Sequence, residues 1–130
     1  IEEISKTTKN IIIDIHAEAT SEKIALGKYL DGEVSLVYGT HTHVQTADER
    51  ILANGSGYIS DIGMTGSQNG VIGTNAETII KKFLTSLPQK FEVAEGNEEL
   101  SGIEVEIDEE TGKCKKIKRI NWSENEGFRS

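Results

Sequence analysis

Three histidines carry the chemistry this sequence can offer: His16 in Asp14-Ile15-His16, and His41 and His43 in Gly39-Thr40-His41-Thr42-His43. Imidazoles ligate metals and titrate near neutral pH, so the set reads as a metal site or an acid–base centre. His41 and His43 stand two apart and share a face on extended backbone, which lets them reach one metal or two adjacent ones. Neutral imidazole suits Zn, Mn, Fe, Ni or Co, and the spacing does not choose among them. A plainer account makes them polar residues satisfied in a loop. Asp14 can orient a histidine as an acceptor behind it, or bond backbone amides at a strand end. Glu18 is a candidate ligand that a helix-capping role explains better, and Asp61 is a weaker candidate at the end of a later strand.

Each histidine stretch follows a run that reads as a buried strand, Ile11 to Ile15 and Val34 to Tyr38. Strand ends fix side chains in space while the loops beyond keep them accessible. Between the runs, Thr20 or Ser21 caps a helix carrying Ile24, Ala25, Leu26, Tyr29 and Leu30, closed by Asp31-Gly32. The order strand–helix–strand predicts a parallel pair. Residues 47–52 and 57–61 read as short strands around the hairpin signal Asn54-Gly55. The loop Gly63 to Gly70 matches neither the Walker pattern nor the dinucleotide fingerprint. Asn75 caps a second helix with Ile79, Ile80, Phe83, Leu84 and Leu87 on one face and Pro88 past its end. Strands follow at 91–94, 102–107 and 113–120, the last two joined by Asp108-Glu109-Glu110-Thr111-Gly112. From Asn121 onward a polar, loosely held tail is expected.

The chain has 130 residues with 28% charged, 35% hydrophobic and 13 glycines, which suits one α/β (α+β) domain or part of one. Residues 1–10 read as a linker or helix tail and 121–130 as the polar tail. A formal net charge of −8 argues against nucleic acid or an anionic membrane as main partner. No apolar run approaches the roughly 20 residues of a membrane span. Cys114 is the single cysteine, so a cytoplasmic setting is the default, and its role reads as structural. The lysines at 113–118 read as a solvated strand face opposite the acidic strand before it. The first residues, Ile-Glu-Glu-Ile-Ser without an initiator methionine, suggest part of something longer.

Three stretches in order resemble the YmdB-type bacterial metallophosphoesterases: Asp14-Ile15-His16-Ala17-Glu18-Ala19-Thr20-Ser21-Glu22-Lys23, Gly39 to Asp48, and Tyr58-Ile59-Ser60-Asp61-Ile62-Gly63-Met64-Thr65-Gly66. The second is also similar to the G-H-x-H signature of calcineurin-like phosphoesterases, with its first histidine displaced by Thr40. The resemblance, which runs from about Ile11 to Ile120, implies part of an αββα sandwich with a mixed sheet and two helices, and a dinuclear site cleaving phosphodiesters such as 2′,3′-cyclic nucleotides. Carried over, His16 and His41 would hold one metal and His43 the other, with manganese or iron ahead of zinc. Hydroxide generated at the metals would attack phosphorus. The family's Gly-Asp, Gly-Glu-Asn and Gly-Asn-His motifs, with the bridging carboxylate and the acid histidine, do not occur here. The chain therefore looks like the C-terminal half of such an enzyme, inactive alone, with the N-terminal half as its partner. Strands lacking neighbours would favour homo-oligomers. The main alternative is a non-catalytic metal-binding or interaction module, and a purely structural α/β domain is a third.

Overall fold

The computed structural model describes residues 1–129. Two helices and two four-stranded sheets make it a mixed α/β chain. Contacts divide it into two compact units, residues 1–63 with 102–119, and residues 64–101 with the chain from Ile120 onward.

In the first unit, β1 (Ile12–His16) leads through α1 (Thr20–Tyr29) to β2 (Leu36–Thr40), and β3 (Arg50–Ile51) turns into β4 (Gly57–Ile59). The strand order is β1-β2-β4-β3, with β1, β2 and β4 parallel and β3 antiparallel to β4. The predicted parallel pair and the Asn54-Gly55 hairpin are both present. The register matters most for function. Ile12 sits opposite Leu36 and His16 opposite Thr40, so the two strands end level and their following loops start side by side.

Ile11, Val34, Val37 and Tyr58 form the core, with Ile13, Ile15, Ile24, Leu30 and Leu52 packed around them. The helix α1 turns only part of the expected stripe inward, Ile24 and Leu30 packing on the core. Its buried residues are Lys23 and Gly27, whereas Ala25 and Tyr29 face water. Gly27 is there because the helix lies against a ring. A Cβ at that position would stand 2.5 Å from Cδ2 of Tyr58. At the sheet's other side, Cys114 is buried against Gly57, and its N–H bonds the Gly55 carbonyl at 2.8 Å. The Asp108 turn is also tied down. Lys115 donates to the carboxylate at 2.8 Å and the Thr111 amide at 2.8 Å, and these bonds hold Asp108 well below the usual carboxylate range.

In the second unit, β5 (Thr65–Ser67) runs antiparallel to the start of β6 (Glu98–Ile107). The helix α2 (Ala76–Thr85) is capped as expected, the Asn75 side chain accepting the Thr78 amide at 3.1 Å. Its apolar face is exposed, Phe83 at 76% and Leu84 at 81%. Two further expectations fail. Residues 91–94 form no strand, only a bridge from Val93 to Thr74. The stretch from Asn121 is not loose, because β7 (Cys114–Ser123) extends through it and turns into β8 (Gly127–Arg129), with Trp122 paired to Phe128. Tryptophan and phenylalanine on a ladder suit strands better than the charge content of this stretch suggested. Among the described residues no helix is long and apolar enough to cross a membrane.

Candidate metal centre

His16 closes β1 and His41 follows β2 directly, and the level register brings their rings together. Nδ1 of His41 lies 3.2 Å from Nε2 of His16, with ring centroids 5.0 Å apart and planes at 78°. Behind His16, Nδ1 lies 3.1 Å from the Thr40 hydroxyl, and that hydroxyl donates to the Asp14 carboxylate at 3.2 Å. A hydroxyl has one proton. Since Thr40 gives its proton to Asp14, it must accept from His16, so Nδ1 of His16 carries the hydrogen and Nε2 keeps its lone pair. Asp14 thus orients the histidine through a threonine rather than directly. The same carboxylate sits against the Tyr38 hydroxyl. Burial first, then the Asp14 charge and hydrogen bond, push that phenol's pKa up.

The backbone of the second loop is unusual. His41 has φ 134 and His43 has φ 62. A histidine in such regions costs on the order of 1–3 kcal/mol and persists only where its surroundings hold it. Here the restraint is Asp61, just beyond β4. Its Oδ2 accepts the Thr42 amide at 2.9 Å and the Lys23 ammonium at 3.1 Å, and its Oδ1 accepts the Gly63 amide at 2.9 Å. Burial opposes charge on Asp61, but these bonds outweigh it and hold its pKa below the ordinary value. Next to it, Asp48 binds the Ser60 amide at 3.0 Å and the Thr46 hydroxyl at 2.7 Å.

With His16 Nε2 accepting, His41 Nδ1 donates across this contact, and a divalent ion held by both nitrogens would take the place of that proton. Two imidazole nitrogens roughly 2.0–2.1 Å from one ion stand roughly 2.9–3.4 Å apart at octahedral to tetrahedral angles, and the observed separation is 3.2 Å. The tautomer of His16 puts its lone pair on Nε2, where it faces His41 Nδ1. His43, the third histidine named from the sequence, is exposed on left-handed backbone, and the structure does not join it to the other two in a metal-holding group. Among the described residues, no group of three or more His, Cys, Asp or Glu is placed to hold a metal ion. Glu18 is exposed and belongs to no such group. Asp61, a weaker candidate by sequence, is central to the loop, and Lys23 and Thr40 take part without a local sequence signal of their own. A helix lysine reads as solvated, and only the glycines at positions 27 and 39, which thin the layers around it, hint otherwise.

Residues 1–120 match the family described as YmdB-like protein. Over 128 residues the chain is 56% identical to a 2′,3′-cyclic-nucleotide 2′-phosphodiesterase of Bacillus subtilis strain 168, covering 98% of this chain and 48% of that relative. The crystal structure of a phosphatase from Mycoplasma pneumoniae superposes with a TM-score of 0.86 at 42% identity, over 94% of this chain and 44% of the other. A hypothetical protein from Thermus thermophilus gives a TM-score of 0.84 at 40% identity, over 94% and 48%. The chain spans about half the length of the proteins it matches. A match that takes in the ends of β1, β2 and β4 together makes this chain a member of the YmdB-like family.

Proposed function

We propose that the chain supplies the histidine-bearing half of a metal-dependent phosphodiesterase acting on phosphodiesters of the 2′,3′-cyclic nucleotide class. The observation that carries this reading is the approach of His16 Nε2 and His41 Nδ1 to 3.2 Å, backed by the Thr40–Asp14 relay. The activity named for the Bacillus subtilis relative supports the substrate class. His16 and His41 would hold one divalent ion and His43 a second, manganese or iron before zinc. Such ions, when bound, lower the pKa of water and neutralise phosphoryl oxygens. The chain's own residues prepare for this. Asp14 and Thr40 keep the His16 lone pair on Nε2, facing His41, and the exposed loop leaves the histidines open to a substrate. The bridging carboxylate and acid histidine belong to motifs absent from this sequence, so the 130-residue chain alone is expected to be inactive. A cytoplasmic setting, where a lone thiol stays reduced, suits it.

Metal content tests the reading. The chain is purified from manganese- and iron-supplemented medium beside a His16→Ala, His41→Ala variant and analysed by mass spectrometry. Metal retained by the parent and lost from the variant is the expected result. Equal metal in both would sink the proposal.

A further inference from the structure

We infer that Lys23 and Asp61 are a positioning pair that sets the conformation of the His41–His43 loop, an inference that rests on the metal-site reading above. Both side chains are 1% exposed and their charged atoms stand 3.1 Å apart. Burying two charges is costly, and apolar residues of similar volume often serve stability as well or better. What apolar residues cannot do is present a fixed acceptor to a backbone amide. Asp61 Oδ2 takes the N–H of Thr42, the residue flanked on both sides by positive φ values, 134 at His41 and 62 at His43. The carboxylate therefore grips the loop at the link between its two unusual conformations.

The remaining contacts make that grip rigid. Asp61 is held by its own backbone, whose N–H bonds the Thr46 hydroxyl at 2.9 Å and whose carbonyl accepts the Thr46 amide at 3.0 Å. The amide of Ile62 bonds the Gly39 carbonyl at 3.0 Å, tying the segment after β4 to β2. Lys23 reaches the carboxylate from α1 because residue 39 is glycine. A Cβ there would meet the Ser60 carbonyl oxygen and would lie 2.8 Å from Lys23 Cδ. The restraint thus runs from α1 through Lys23 and Asp61 to Thr42, and from there to His41, whose ring meets His16. Neither Lys23 nor Asp61 is among the residues proposed to hold metal, so their action is through the loop.

The test uses Lys23→Met with Asp61→Asn, which removes both charges at once and leaves no unpaired one, and the single Asp61→Asn beside it. Nuclear magnetic resonance on the whole chain reads three things: hydrogen exchange at the Thr42 amide, the nuclear Overhauser contact between the His16 and His41 rings, and zinc titration of the ring nitrogens. The double variant is expected to keep parental protection in β1, β2 and β4. Its Thr42 amide should exchange about tenfold faster, as replacing a charged acceptor by a neutral amide oxygen implies. The ring contact should disappear and zinc affinity fall roughly 10–100-fold. Unchanged Thr42 exchange and ring contact would overturn the inference. So would a loss of protection across every strand in both variants, because that assigns the pair to general stability. The two readings fail separately. A parent that takes up no zinc, while Thr42 and the rings respond to the variants, ends the metal reading and keeps the positioning pair. Zinc bound equally by parent and variant, with Thr42 unmoved, does the reverse.

Discussion

A single hydroxyl decides which nitrogen of His16 is available. Thr40 donates to Asp14 and accepts from Nδ1, and that direction follows from proton counting rather than from any charge near the ring. Thr40→Val keeps the branched shape and removes both bonds. We expect the His16 ring to populate both tautomers, visible in its nitrogen shifts, and metal affinity to fall about 10-fold or more, as loss of an orienting partner does. An unaltered tautomer would show that the relay does not control it. The meeting of His16 with His41 was legible in the sequence because both stand at the ends of strands that read as neighbours. Thr40 was not, since a threonine's role depends on which way its proton points. Lys23 and Asp61 were hidden for a related reason: burial of an ion pair is a tertiary fact that no local pattern encodes.

Among the elements, α1 shows why periodicity misled. Ile24 and Leu30 do pack on the core, but the innermost positions are Lys23 and Gly27, four apart and on one face. The helix is drawn close to the sheet by Tyr58, whose ring is 1% exposed and whose hydroxyl lies 3.0 Å from Ser60 Oγ. Gly27→Ala sets two effects against each other. Helix propensity favours alanine by up to about 1 kcal/mol, while forcing a methyl group into a packed ring costs typically about 1–3 kcal/mol. The ring cannot swing away without losing its hydroxyl contact, so we expect net destabilisation, read as a lower urea midpoint. A raised midpoint would mean the helix can retreat from the sheet. Strand pairs, by contrast, were readable, because β1, β2 and the Asn54-Gly55 hairpin rest on local sequence, as does the Asn75 cap. The cap of α1 was not, since its N-cap is Ala19 with no side-chain bond and the expected Thr20 and Ser21 lie inside the helix. The exposed face of α2 and the strand after Asn121 were not, because pattern shows which residues are apolar and not what meets them.

For the molecule as a whole, acid stability follows from its anchored carboxylates. Asp61 and Asp48 are both held below their ordinary pKa, burial opposing and hydrogen bonds prevailing. A depressed folded pKa contributes stability above the unfolded value of about 3.9, which is lost as pH falls through the folded value. Urea midpoints should therefore be level from neutral pH to about pH 5 and drop below about pH 4, with a shallower drop in Asp61→Asn. A midpoint that is flat down to about pH 3 would contradict it. Family membership and fold class were readable from three motifs in order, whereas the division into two units depends on contacts between residues as distant as Glu49 and Arg119. One buried side chain has a use of its own. The thiol of Cys114 packs against Gly57, burial raises its pKa, and no second cysteine competes with it. It is shielded while Cys114 stays seated against Gly57 and becomes reactive when the two part. The chain therefore carries a chemical label site whose rate of modification clocks the parting of Cys114 from Gly57.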